Sequence, residues 1–149
     1  MLLSKHFELE EFVVSETAAR QGIDNQPSNQ VIANLSGLCE KILEPLRVHL
    51  ARPVIITSGY RSVELNQAIG GSNTSQHMTG KAADIIVPGI TPFDLCTLIE
   101  SMNFPYGQLI NEFGRWTHIS LKTSGKPQQT LTAYRDNNQT IYEAGLINV

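Results

Sequence analysis

The feature that most constrains the fold is an apolar stripe within residues 31–50. Its members recur at spacings of three and four, as on one face of an amphipathic helix: Val31, Leu35, Leu38, Ile42, Leu46 and Leu50. We therefore predict that Asn29 to Leu50 forms the longest helix, with Ser28 directly before it. Pro45 lies inside the stripe, so we expect the last turn to be kinked or to begin a new segment.

The rest of the chain alternates short helical and short extended patterns. Helices are predicted from Ser62 to Ile69 and after Thr91-Pro92, where a capping side chain precedes a proline at the first helical position. Short strands are predicted at Pro53 to Thr57, Ala82 to Val87, Gln108 to Glu112 and Trp116 to Lys122. Residues 123–149 are polar and give little signal. This mixed order predicts an α+β domain, with helices packed on one side of a small central antiparallel sheet.

Length, charge and cysteine content limit the organisation and the partners of the chain. With 149 residues, of which 41% are hydrophobic, it can bury one ordinary core, so we expect a single domain over residues 1–149. A net charge of -3 without any Lys/Arg-rich run does not suit nucleic acid. The N-terminus lacks the apolar stretch of a signal peptide or membrane span, so we expect synthesis in the cytosol and no membrane partner. Cys39 and Cys96 lie in apolar segments and are expected to be buried free thiols.

Three residues have the character of a metal site. Of the four histidines, His6 and His49 have no ligand-like neighbours. His77 lies in a Gly/Ser-rich loop shortly before Asp84, so a turn can bring both side chains to one ion. Alternation along the last predicted strand puts His118 on the face opposite the apolar residues. Two imidazoles and a carboxylate are the ligand set of a catalytic zinc, although they also suit non-haem iron.

Attack by water at such a metal needs a base, and Glu112 is the best-placed carboxylate. If Phe113-Gly114-Arg115 is a three-residue loop, Glu112 pairs with Trp116 and shares a sheet face with His118. With a two-residue loop, Asn111 pairs with His118 instead, and Glu112 points away. The sequence leaves both registers open.

These residues also carry a family resemblance. Ser75 to Asp84 fits the pattern S-x-H-x-x-G-x-A-x-D and so resembles the zinc D-Ala-D-Ala carboxypeptidase family. This group also includes D-Ala-D-Ala dipeptidases and phage L-alanyl-D-glutamate endopeptidases. Thr57 to Ser62 resembles the upstream motif of the family, and Trp116 to Ser120 resembles the strand that delivers its last ligand. His6-Phe7 and Ser15 to Ala18 look like the small phage and prophage members.

The resemblance implies a zinc site in a cleft on the sheet. Its Zn2+ ligands would be His77, Asp84 and His118. It also implies that the guanidinium of Arg61 binds a substrate carboxylate, with a surface ion pair at a helix start as the alternative. The candidate substrate-binding residues are Arg61, Ser75, Gln76 and Trp116.

The sequence departs from the family pattern at the base. Several members have the catalytic acid three residues before the last ligand, or a second histidine two residues before it, and these positions hold Arg115 and Trp116 here. Neither is a carboxylate, so we predict that Glu112 is the base. Arg115 is a candidate for stabilising the oxyanion, with simple solvent exposure as the alternative.

The function that follows is zinc-dependent hydrolysis of a peptide bond in the peptidoglycan stem, by a D,D-carboxypeptidase or an endopeptidase. The expected partners are stem peptides, and we expect a monomer. The lack of a signal peptide suits a phage lysis enzyme or a virion-borne enzyme, which reaches the wall after release. The alternative is a non-catalytic zinc domain that binds wall peptides.

Overall fold

The computed structural model describes residues 1–149. The α-helices α1 to α6 span Leu9–Val13, Glu16–Gln21, Asn29–Leu38, Glu44–Leu50, Val63–Ala68 and Pro92–Ser101. The strands β1 to β8 span Leu2–Ser4, Phe7–Glu8, Ile55–Ser58, Ala82–Ile86, Tyr106–Glu112, Trp116–Leu121, Gln129–Asp136 and Gln139–Ala144. A π-helix at Cys39–Leu43 and a 3-10 helix at Gln76–Thr79 complete the set.

Six of the strands form one sheet in the order β3-β4-β6-β5-β7-β8, and β1 and β2 form a separate small sheet. The predicted α+β class is confirmed. The central sheet differs at one pair from the antiparallel sheet that we expected, because β5 and β7 run parallel. β6 ends beside the first residue of β5. From there the chain crosses to the other edge of β5, and β7 therefore runs in the same direction as β5.

The helices pack on one face of the sheet, as predicted. Side chains alternate along a strand, so every second residue points toward the helices. On the central strands these residues are fully buried: Ala83, Ile85, Leu109 and Ile119. They join the apolar residues of α3, the π-helix and α6 in one core. The opposite face of the same strands places Asp84, His118 and Ile110 side by side in register.

The long apolar stripe folds as three consecutive segments. Ser28 caps α3, which continues into the π-helix and then into α4, with Pro45 in the first turn of α4. Proline has no N–H to donate, and its ring crowds the carbonyl group four residues earlier. The wider π turn directly before it accommodates both effects. The expected new segment at Pro45 is therefore confirmed.

Several local predictions are also confirmed. Ser62 caps α5, and Thr91 caps α6 with Pro92 in its first turn. Cys39 and Cys96 are free and buried. None of the helices has both the length and the apolar composition that crossing a membrane requires.

Candidate metal centre and its cleft

Three side chains converge on the open face of the sheet. His77 lies in the 3-10 helix, Asp84 lies on β4, and His118 lies on β6 directly opposite Asp84. One possible ligand atom from each residue lies within 4.8 Å of the other two. The structure therefore brings the three predicted ligands together, whereas His6 and His49 are outside the group.

Asp84 is at the centre of the group. Its Oδ1 lies 3.0 Å from Nδ1 of His118 and 3.4 Å from Nε2 of His77. The exposed fractions are only 9% for Asp84, 8% for His118 and 2% for His77. Burial raises the pKa of Asp84, but hydrogen bonds from the two histidines outweigh it and hold this pKa well below its usual range. The carboxyl group is therefore ionised.

A backbone carbonyl fixes the ring of His77. Its Nδ1 donates a 2.7 Å hydrogen bond to the carbonyl oxygen of Gly59, and this contact turns Nε2 toward Asp84. Gly59 in turn lies against α1, where an added Cβ would be 2.5 Å from the carbonyl oxygen of Phe12. Because only glycine permits this approach, the contact between Gly59 and α1 helps to orient the imidazole.

The short helix that carries His77 is fixed at both ends. Oγ of Ser75 accepts a 3.2 Å hydrogen bond from the backbone N–H of His77. Gly80 ends the helix with a φ of 76°, and an added Cβ there would lie 2.7 Å from the carbonyl oxygen of Val31 on α3. The position of His77 is thus tied to the longest apolar segment of the chain.

The chemistry of this donor set fits a divalent metal. Tetrahedral ligands about 2.1 Å from zinc lie roughly 3.4 Å from one another. The separations of 3.0 and 3.4 Å around Oδ1 of Asp84 are close to that value. Two imidazoles and one carboxylate also supply the three protein ligands that a catalytic zinc site uses.

The turn between β5 and β6 decides where Glu112 points. The strands pair with Glu112 opposite Trp116 and Ile110 opposite His118, which is the register of the three-residue loop. The three-residue loop is therefore confirmed, and Asn111 does not pair with His118. Oε1 of Glu112 lies 3.8 Å from Nδ1 of His118. The carboxyl group is beside the candidate ligands.

The surroundings of Glu112 favour its protonated form. Burial, and then the negative charge of Asp84, raise the pKa of Glu112 to about 7, against the opposing charges of His118 and Arg61. A carboxyl group with a pKa near neutrality is suited both to accept a proton and to return it.

Arg61 reaches the same cleft with a charge that no carboxylate balances. It forms no salt bridge. Its Nη2 donates a 3.2 Å hydrogen bond to Oγ of Ser75, and its Nε is buried without a partner. Burial lowers the pKa of Arg61, and the charges of Asp84 and Glu112 raise it. The surface ion pair considered as an alternative is not formed, so the guanidinium can accept an anion from outside the chain.

Asn25, which sequence reasoning missed, holds the loop that carries Arg61. Its Nδ2 donates to the carbonyl oxygens of Val13 and Tyr60, and its Oδ1 accepts from the backbone N–H of Ser62. The three partners are far from Asn25 in sequence, so no local pattern marks this residue.

A cleft of about 800 Å³ surrounds the group. Ser75, Gln76 and Trp116 all line it, where we predicted substrate-binding residues. Ser75 is already bonded to Arg61, and Nε2 of Gln76 donates to Oγ1 of Thr123 at 3.2 Å. Arg115 does not line the cleft and is exposed in the turn. This position agrees with simple solvent exposure, the alternative to a role in stabilising the oxyanion.

The far wall of the cleft comes from strands that the sequence did not reveal. Leu131 on β7 and Tyr142 on β8 both line the cleft. The two strands form a hairpin whose turn residues, Asn137 and Asn138, both have positive φ. An Asn-Asn pair is a signal for such a two-residue turn, and it could have located the hairpin.

The comparisons with known proteins agree with this site. The family model described as Peptidase M15 matches residues 5–120, a range that includes Arg61, Glu112 and the three candidate ligands. No curated protein matches the chain. M15 peptidases are zinc enzymes that act on peptidoglycan peptides. The resemblance of the sequence to this family is confirmed, whereas the phage or prophage type stays a prediction. The chain belongs to the M15 peptidase family of zinc D-Ala-D-Ala carboxypeptidases.

Proposed function

We propose that the chain is a single-domain zinc peptidase that hydrolyses a peptide bond in the stem of peptidoglycan. The observation that carries the proposal is the convergence of His77, Asp84 and His118 beside the carboxyl group of Glu112 in an open cleft. Membership of the M15 family supports both the metal and the class of substrate.

His77, Asp84 and His118 would hold the zinc ion. When bound, zinc supplies a Lewis acid that polarises the scissile carbonyl group and makes water easier to deprotonate. Glu112 acts as the general base and removes a proton from the attacking water. The same carboxyl group then returns the proton to the leaving amine, a double role that suits a pKa of about 7.

Arg61 orients the substrate. Its guanidinium has no carboxylate partner within the chain, so it can bind a carboxylate of the substrate with two parallel hydrogen bonds. We assign to it a carboxylate on the residue that leaves with the amine. Holding this group fixed places the scissile carbonyl beside Glu112 and reduces the entropy cost of the reaction. Ser75 positions Arg61 through its hydroxyl, and Gln76 and Trp116 contact the substrate from the cleft walls.

We further propose that the enzyme acts as a monomer in phage lysis or as part of a virion. The support is the resemblance of its N-terminal residues, His6-Phe7 and Ser15 to Ala18, to small phage and prophage members of the family. Both a D,D-carboxypeptidase and an endopeptidase fit the cleft, because Arg61 binds a carboxylate in either case.

The test is hydrolysis of defined stem peptides by zinc-loaded protein, with mass spectrometry of the products. We expect cleavage at one bond, loss of cleavage after chelation, and recovery when zinc is added back. A parallel sample that receives magnesium in place of zinc controls for the effect of a divalent charge alone. Peptide binding without any cleavage would contradict the proposal and would favour the non-catalytic binding module.

A further inference from the structure

The two sides of the cleft differ in chemistry. Near Arg61 the lining is polar, with Ser75 hydrogen-bonded to the guanidinium and Gln76 following it in the chain. Of the lining residues only four are hydrophobic: Ile110, Trp116, Leu131 and Tyr142. Three of these four lie on adjacent strands, β5, β7 and β8, on the side away from the loop that carries Arg61.

The strand register makes these three residues neighbours. Ile110 pairs with Leu131, and Leu131 is one diagonal step from Tyr142, which pairs with Ala133. All of them share the sheet face of His118, because Ile110 also pairs with His118. We call Ile110, Leu131 and Tyr142 the apolar wall. It starts one strand away from the candidate ligands.

Tyr142 gives the apolar wall an exposed edge. Its exposed fraction is 57%, whereas Ile110 is 4% exposed at the base of the wall. Ala133 stands between Tyr142 and Glu112 in the same cross-strand row, so one small residue separates the two strands that carry them. A large exposed aromatic group beside a cleft adds apolar contact area that a bound ligand can cover.

We propose that the apolar wall is a specificity subsite, which binds the aliphatic side chain of the residue that supplies the scissile carbonyl. This inference rests on the proposed function. With a substrate carboxylate on Arg61, the peptide crosses the candidate metal centre and its preceding residue lies against β5, β7 and β8. The wall has no charged member, so it favours an aliphatic side chain over glycine or a charged residue.

Most of the apolar wall lies outside the family match. The match ends at residue 120, and both Leu131 and Tyr142 follow it. The candidate ligands and the proposed base are therefore in the matched part of the chain, while two of the three wall residues belong to the hairpin of β7 and β8.

The test uses synthetic stem peptides that differ only at the residue before the scissile bond, which is glycine, alanine or leucine. The readout is the ratio of kcat/KM for the leucine peptide to that for the glycine peptide. We expect the unmodified protein to prefer leucine, and Tyr142→Ala and Leu131→Ala each to reduce the preference about 10-fold. Glu143→Ala is the matched control, because Glu143 is the exposed neighbour of Tyr142 on the other face of β8.

Two outcomes would overturn the subsite: no preference in the unmodified protein, or a preference that both variants retain. Failure of the proposed function would give a different result: zinc-loaded protein would cleave none of the peptides. In that event the affinities of the same peptides, measured by calorimetry, decide the matter. Tighter binding of leucine than of glycine that is lost in Tyr142→Ala would support the subsite, and equal or undetectable binding would reject it.

Discussion

The central strands have one face toward the helices and one toward the cleft, and the two faces differ in chemistry although alternate residues of the same strands form them. On β4 and β6, Ala83 and Ile119 point into the helices and are fully buried, while Asp84 and His118 point into the cleft. The helix face is mostly apolar and is buried against the helices. The cleft face carries ionisable groups that are buried next to one another, which is costly for folding unless they are paired or bind a metal. One face therefore stabilises the fold, and the other carries the candidate metal ligands and the carboxyl group beside them.

Among changes that distinguish the two faces, we expect the largest loss of activity from a substitution of Glu112 on the cleft face. Glu112→Gln keeps the size and hydrogen-bonding ability of the side chain but removes the base, so kcat should fall by about 100-fold or more while zinc stays bound. Steady-state kinetics and metal content measured on the same sample check this. Glu143→Gln, the same change at an exposed residue on the other face, is the control and should keep full activity. A Glu112→Gln enzyme with normal kcat would remove this residue from the mechanism.

A change on the helix face should act on stability and spare the site. Ile119 is fully buried, so Ile119→Ala should lower the free energy of unfolding by about 2 to 5 kcal/mol through lost contacts and a cavity. Urea denaturation gives this value, and Ile55→Ala on β3, where the side chain is 41% exposed, is the matched control with a much smaller loss. If the folded Ile119→Ala protein lost its metal affinity, the division between the two faces would be wrong.

A substitution of Arg61 tests whether the positive charge or the planar shape of its guanidinium orients the substrate. Arg61→Lys keeps the positive charge and loses the planar fork, so we expect KM to rise about 10-fold and kcat to change less. Arg20→Lys, at an exposed arginine of α2, should leave both constants unchanged. An Arg61→Lys enzyme with unaltered KM would show that the fork does not bind a substrate carboxylate.

The smallest effect concerns the pH dependence of stability in metal-free protein. The pKa of Glu112 rises from 4.5 to about 7 on folding, so its contribution to stability is present below pH 4.5 and is lost as pH rises through 7. With chelator present, Glu112→Gln should therefore be more stable than the unmodified protein at pH 8.5 by about 1 to 3 kcal/mol, and little different at pH 4. Urea denaturation at both pH values measures this, and a constant difference would contradict it.

The sequence was most informative where one residue decides the local geometry. The motif from Ser75 to Asp84 indicated two candidate ligands, and strand alternation put His118 on their side of the sheet. The sequence leaves the register at Glu112 open, because it depends on the turn, where Phe113 and Gly114 adopt φ values of 60° and 67°. A positive φ is uncommon for phenylalanine, so no local pattern predicts this turn.

Other features escaped prediction because their partners lie far along the chain. β8 is mostly exposed, so it shows no alternation of buried and exposed residues, and β7 could not be paired with β5 without knowing where the chain crosses. Asn25 and Gly59 act through distant carbonyl groups that no neighbouring residue reveals. The sequence therefore indicates the candidate ligands more directly than the groups that position them.

The most direct test of the central claim is the zinc content of protein purified without a metal-affinity column. Elemental analysis of the unmodified chain should find about one zinc per chain, and His118→Ala should lose it. His49→Ala, at an exposed histidine outside the group, should keep it. Absence of zinc from the unmodified chain after incubation with the ion, or its retention in His118→Ala, would contradict the assignment of His77, Asp84 and His118 as a zinc site.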